Sequence, residues 1–108
     1  MNEKSLFAGF MGDSPMIRVL DYMITYKEVD FSITDIAENA GIGRATLYRI
    51  WDDLVQNEII RHTRCIGKAK LFTLNLDNEK IQKLVEIYDM LTLEELKKHT
   101  KQELEIPA

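Results

Sequence analysis

The sequence is poor in the residues that build special scaffolds. Its single cysteine, Cys65, has no partner for an internal disulfide, which excludes a disulfide-framework protein and fits a reducing compartment. Two prolines and five glycines in 108 residues leave little room for long flexible linkers and exclude a collagen-like chain. No apolar run approaches the roughly 18 residues of a membrane-spanning helix. The run at residues 6–12 is too short for a span and is followed by Asp13 rather than a small-residue cleavage site. Neither a secretory leader nor a membrane partner is expected, and a cytoplasmic location is. Positive charge is also in deficit: 14 basic against 18 acidic residues give a net charge of −4, which at first argues against a polyanionic partner.

What is present is the composition of one small folded domain, 45% hydrophobic and 30% charged. A chain this short has too little surface to enclose a large active-site cavity. The charge is unevenly spread. Residues 44–70 hold six basic side chains (Arg44, Arg49, Arg61, Arg64, Lys68, Lys70) against three acidic, while both flanks are acidic. Local field governs docking of a polyanion more than the total does.

Along the chain, Leu6, Phe7, Phe10 and Met11 sit at helical spacing. They read as a frayed tail or as a short amphipathic piece packed on the body or on a second subunit. Two exposed phenylalanines would favour aggregation, so packing is expected. Ser14 and Pro15 are a helix start, and Met16, Ile17, Leu20, Met23 and Ile24 give a 3.6-period stripe to about Tyr26. Phe31, Ser32 and Ile33 form a minimal strand. Thr34 is placed to cap a short second helix that ends at Gly41, and a sharp turn through Gly43 leads to a third helix over residues 44–56. In that helix Leu47, Ile50, Trp51 and Leu54 face inward, Ala45, Arg49, Asp52 and Gln56 face outward, and Asn57 is a left-handed stop. The period then drops to two. Residues 59–66 and 70–76 make a hairpin with Phe72, Leu74 and Leu76 inward, joined through Gly67 and Lys68. Asp77 caps a last helix. Thr92 and Glu95 have capping-box spacing, so residues 77–104 form one bent helix or two, and residues 97–108 are polar enough to fray.

Helix, minimal strand, short helix, turn, helix, hairpin and helix is the order of a winged helix-turn-helix. The expected fold class is mostly α with a small β-hairpin wing (α+β), with an extra C-terminal dimerisation helix. The divisions are residues 1–13, an N-terminal amphipathic segment; 14–76, the DNA-binding domain; and 77–108, a dimerisation region. Enzymatic constellations are missing. Gly41 to Gly43 is not a phosphate loop, because no lysine-serine follows, and no Ser-His-Asp or Cys-His context is visible. His62 and Cys65, three apart in a strand, should point to opposite faces, so no metal site is expected and Cys65 is assigned to packing. His99 stands in a polar tail. No cofactor and no dedicated effector pocket can be read.

The run from Asp35 to Arg49, with Ile36-Ala37, Ala40-Gly41-Ile42, Arg44 and Thr46-Leu47-Tyr48, resembles the helix-turn-helix of prokaryotic winged-helix transcriptional regulators, including the MarR-like and ArsR-like groups. The stretch from Leu6 to Leu20 is similar to small archaeal regulators of this type. The resemblance covers residues 14–76 and implies a sequence-specific regulator of double-stranded DNA. Two departures stand out. Gly43 replaces the usual serine or threonine cap, and Asp52 and Asp53 repel phosphate unless paired or averted, which confines contacts to the first two turns of the recognition helix.

The expected DNA contacts are Arg44, Ala45, Thr46, Tyr48 and Arg49 on the third helix, and Arg64, Lys68 and Lys70 on the wing. The expected homodimer interface is Phe7, Phe10, Ile81, Leu84, Val85, Ile87, Tyr88, Met90 and Leu91, because the apolar stripe of the last helix is wider than one core needs. Two other readings stand beside this one: a winged-helix protein-protein interaction module of a transcription or replication assembly, and a DNA-packaging protein without sequence preference.

Overall fold

The computed structural model describes residues 5–105, with side chains described through residue 98. Expectations touching residues 1–4, residues 106–108 and the His99 side chain lie outside the described residues. Helix α1 spans Leu6–Met11 and α2 spans Pro15–Thr25. Strand β1 (Phe31–Ser32) runs directly into α3 (Ile33–Ala40), and a turn leads to α4 (Arg44–Gln56). Strands β2 (Ile60–Ile66) and β3 (Ala69–Leu74) follow as a hairpin, and α5 (Glu79–Glu105) completes the order.

Each helix start has a local cause. Ser5 Oγ accepts the Ala8 N–H at 3.0 Å, and Ser14 Oγ accepts the Ile17 N–H at 3.2 Å with Pro15 in the first position. At α3 the cap is Ser32 and not the expected Thr34. Ser32 Oγ accepts the Asp35 N–H at 3.1 Å and the Asp35 carboxylate accepts the Ser32 N–H at 3.4 Å, a reciprocal pair that starts the helix two residues early. At α5 the cap is Asn78 and not Asp77: Asn78 Oδ1 accepts the Lys80 N–H at 2.9 Å. Asp77 is held before the helix by its N–H bond to Asn75 Oδ1 at 3.2 Å and its ion pair with Arg61 at 3.1 Å.

Helix ends are equally specific. Gly41 adopts φ 71°, and the bonds Gly41 N–H to Glu38 O (3.3 Å) and Ile42 N–H to Ala37 O (3.0 Å) close α3 with a left-handed residue. The end of α4 repeats this pattern one residue later than expected. Glu58, at φ 55°, is the left-handed residue, while Asn57 stays at φ −86° and its Nδ2 donates to Asp53 O at 2.8 Å. A left-handed non-glycine residue costs about 1–2 kcal/mol. Here the Glu58 carbonyl is clamped by the side-chain amides of Asn75 and Asn78, both at 3.0 Å, which offset that cost.

The sheet has order β1-β3-β2 and is antiparallel throughout. Leu74 is buried and Phe72 packs on the core, as the alternation requires. Leu76 instead lies beyond β3 and is exposed, and Leu71 is buried on the opposite face of this central strand. In β2, His62 pairs with Phe72 but Arg64 pairs with Leu71, so Thr63 is an extra, bulged residue. Helix α5 is continuous. Thr92 Oγ1 donates back to Tyr88 O at 3.1 Å instead of starting a new helix, and the helix runs to Glu105 where fraying was expected.

The core collects Phe7 from α1, Val19, Leu20, Met23 and Ile24 from α2, Ile36 from α3, Leu47 and Leu54 from α4, Ile60 and Leu74 from the sheet, and Ile81 from α5. Burying each such side chain is worth roughly 1.5–3 kcal/mol, so the core, not the caps, sets total stability. The caps set the register. Ser32→Ala is therefore expected to cost about 1 kcal/mol in denaturant unfolding, whereas Thr34→Ala should stay within about 0.5 kcal/mol of the parent. Equal losses in both variants would return the cap to Thr34.

Candidate nucleic-acid interface

Burial of Leu47 and Leu54, with Ile50 and Trp51 packed beside them, fixes which way α4 faces. Arg44, Ala45, Tyr48 and Arg49 are consequently exposed, and Thr46 is half-buried. Gly43 caps α4 through its backbone alone, as the sequence implies. The first-turn N–H groups thus have no cap side chain competing for them. Arg49 Nη2 donates to Thr46 Oγ1 at 3.1 Å, which ties two of the expected contact residues together one turn apart. Asp52 and Asp53 are exposed and form no ion pair with Arg49, so they do not neutralise it.

The turn before α4 is braced from α2. Arg18 Nη1 donates to the Gly41 carbonyl at 3.1 Å, while Nε and Nη2 donate to the Asp13 carboxylate at 2.7 and 3.0 Å. That carboxylate raises the Arg18 pKa still further. Sequence reasoning missed this brace; its one available signal was a lone arginine among the apolar positions of α2.

On the hairpin, Lys68 stands in the turn beside Gly67, whose φ of 59° a two-residue reversal requires. Lys70 is exposed at the start of β3, and neither lysine nor Arg44 has an ion-pair partner among the described residues. Arg64 differs. Its Nε and Nη2 lie 2.9 and 3.2 Å from the Asp30 carboxylate, which also accepts the Thr63 hydroxyl at 2.5 Å. The Asp30 side chain is only 15% exposed against 62% for Arg64. The hydrogen bonds from Arg64 and Thr63 pull the Asp30 pKa down to about 2. Arg64 thus belongs to a clamp at the base of the wing. Ile66, exposed near the tip, was also missed.

Two expectations about His62 and Cys65 fail. Cys65 is exposed rather than packed, and its Sγ lies 3.6 Å from His62 Nε2. The bulge at Thr63 is the reason: one extra residue shifts the face alternation, so positions three apart share a face. The His62 ring stands edge-on to Phe72 at 5.5 Å, and Phe72 edge-on to Trp51 of α4 at 4.9 Å. Among the described residues no group of three or more His, Cys, Asp or Glu could hold a metal ion.

The expected dimer residues divide. Phe7 and Ile81 are 1% and 2% exposed, interior to this chain, with the Phe7 ring 5.8 Å from Tyr88. They are therefore corrected from interface to core. Leu84, Val85, Tyr88 and Leu91 pack partly on the same core, and Ile87 is half-buried. Phe10 and Met90 are 66% and 59% exposed. Leu6, Met11, Leu93 and Leu96 are exposed too; the two on α5 lie beyond Leu91, where the sequence reading ends its apolar stripe. Among the described residues no helix is long and apolar enough to cross a membrane.

The family model for the helix-turn-helix domain of resolvase matches residues 20–54, from mid-α2 to the last buried leucine of α4. No curated protein matches the sequence. Among solved structures, ZitR of Lactococcus lactis in complex with DNA is similar at TM-score 0.57 and 16% identity, over 83% of this chain and 61% of that one. MepR, a transcription regulator of the Staphylococcus aureus multidrug efflux pump MepA, is similar at TM-score 0.60 and 17% identity, over 90% of this chain and 78% of that one. The adhesin competence repressor AdcR of Streptococcus pyogenes is similar at TM-score 0.58 and 15% identity, over 84% and 66%. The chain spans about three-fifths of the length of ZitR. At 15–17% identity the likeness is one of fold. The chain has the winged helix-turn-helix fold with a long C-terminal helix.

The clamp at Asp30 has a pH signature. A carboxyl whose pKa is about 2 when folded and 3.8 otherwise contributes stability that is full above pH about 5 and lost as pH falls through the folded pKa, toward pH about 1. In urea titrations, parent and Asp30→Asn should differ by a constant amount above pH about 5, and the gap should shrink steadily as pH falls from about 5 to below about 2. A gap that does not shrink over that range would contradict the clamp.

Proposed function

We propose that this chain is a sequence-specific double-stranded DNA-binding transcriptional regulator that works as a homodimer in the cytoplasm. Residues 14–76 are the DNA-binding unit, with α4 in the major groove and the wing on backbone or minor groove. Residues 77–108, with residues 1–13, are the pairing region. One observation carries the reading: in a chain of net charge −4, Arg44 and Arg49 on the outward face of α4 and Lys68 and Lys70 on the wing are exposed cations without acidic partners among the described residues. The fold neighbour seen in complex with DNA supports it.

Arg44 and Arg49 are the base-reading candidates, with Thr46 and Tyr48 on phosphate and Ala45 close against a base edge. Lys68 and Lys70 grip backbone. Arg64 reaches phosphate only by sharing its guanidinium with Asp30, which makes it a positioning residue for the wing. Pairing is supported by the apolar side chains left bare on α1 and α5. Phe10, Met90, Leu93 and Leu96 are the side chains a second copy would cover, with Ile87, Leu84, Val85, Tyr88 and Leu91 behind them. A second reading, a protein-interaction module, draws on the unneutralised Asp52 and Asp53.

Selection of bound sequences from random DNA, followed by titration at several salt concentrations, tests the proposal. Arg49→Ala should lose about 1–3 kcal/mol of discrimination at one base position, whereas Lys68→Ala should weaken all sequences alike and lower the salt slope by about one. Two variants indistinguishable from the parent would reject these surfaces, and a chain that ignores DNA at low salt would favour the interaction module. By light scattering the parent should have twice the chain mass, and Met90→Glu with Leu93→Glu should halve it. A monomeric parent would remove the dimer.

A further inference from the structure

The wing carries two side chains that DNA contact leaves unused. Cys65 Sγ and His62 Nε2 lie 3.6 Å apart on an exposed face of the hairpin. Their meeting depends on the bulge at Thr63, and that bulge is secured. The Thr63 hydroxyl bonds to Asp30 at 2.5 Å and lies 3.3 Å from the Leu71 carbonyl. The imidazole is also fixed, through Phe72, to Trp51 of α4. Lys70 is the cross-strand partner of Cys65, and the thiolate is the form of cysteine that ligates metal.

The spacing has chemical meaning. Zinc–sulfur bonds are about 2.3 Å and zinc–imidazole bonds about 2.0–2.1 Å, so at the tetrahedral angle the two donors stand about 3.5 Å apart. Sγ and Nε2 already span one edge of such a tetrahedron. A neutral imidazole that carries its proton on Nδ1 presents Nε2 to a metal. We infer that His62 and Cys65 form a two-donor site for a d¹⁰ divalent cation of the zinc class, with water in the remaining positions. The cation takes the place of the thiol proton, which leaves to solvent. No third protein ligand stands with them among the described residues, so the site is open and exchangeable rather than structural. The inference does not rest on DNA binding.

Titration of the 108-residue chain with Cd(II), in the absence of DNA, tests it through the ultraviolet charge-transfer band of a thiolate–cadmium bond, with Zn(II) as competitor. One metal per chain is expected. The band should vanish in Cys65→Ser, and binding should weaken about tenfold or more in His62→Gln. Both side chains are exposed, so the variants should keep the parent far-ultraviolet circular dichroism. No band in the parent would overturn the site. Equal binding by His62→Gln would reduce it to a lone thiol, and one metal per two chains would replace water by a second copy; either result overturns the site as stated. A parent that binds cadmium but no DNA would remove the regulator reading and leave this one standing.

Discussion

The exposed face of α4 is a by-product of what its other face buries. Leu47 and Leu54 sit two turns apart with no solvent exposure, and Ile50 and Trp51 fill the space beside them. Removing either leucine to alanine would cost several kcal/mol by the usual cavity argument, far more than any surface contact on this helix returns. The rotation of α4 about its axis is therefore fixed by the core. Arg44 and Arg49 inherit their outward direction from it, and so do Asp52 and Asp53. The same packing passes through Trp51 to Phe72 and sets the hairpin beside the helix.

A second, weaker layer of order is polar and local. Arg18 spans Asp13 and the Gly41 carbonyl, and Asp30 gathers Arg64 and Thr63. Each joins a helix or loop near the N-terminus to the part of the molecule that follows Gly41. Exposed ion pairs contribute little to global stability. Their effect is geometric: one holds the turn before α4, the other holds the bulge that aims the wing.

The order of elements was legible because hydrophobic period is a strong signal and each change of period marks a boundary. The stripes of α2, α4 and α5 are plain in the chain, and so is the left-handed Gly41. The misplacements have physical causes. Ser32 and Thr34 are both competent caps, and only the reciprocal bond with Asp35 chooses between them. Asn57 is the better left-handed residue by intrinsic preference, but tertiary bonds from Asn75 and Asn78 select Glu58. Bulges leave almost no trace in sequence, so His62 and Cys65 were assigned to opposite faces. Among the contact candidates, exposure of Arg44, Arg49 and Lys68 was readable, but the capture of Arg64 by Asp30, 34 residues away, was not.

Thr63 also bears on how the chain can change over generations. Surface hairpins ordinarily accept insertions and deletions, because little packs on them. This one is phased: an extra residue has already been counted into β2, and every side chain from Arg64 to the tip takes its orientation from that count. Loss of a single codon anywhere between His62 and Ile66 would turn the tip inside out while leaving its composition almost intact. Length, more than chemistry, is what this hairpin cannot easily alter.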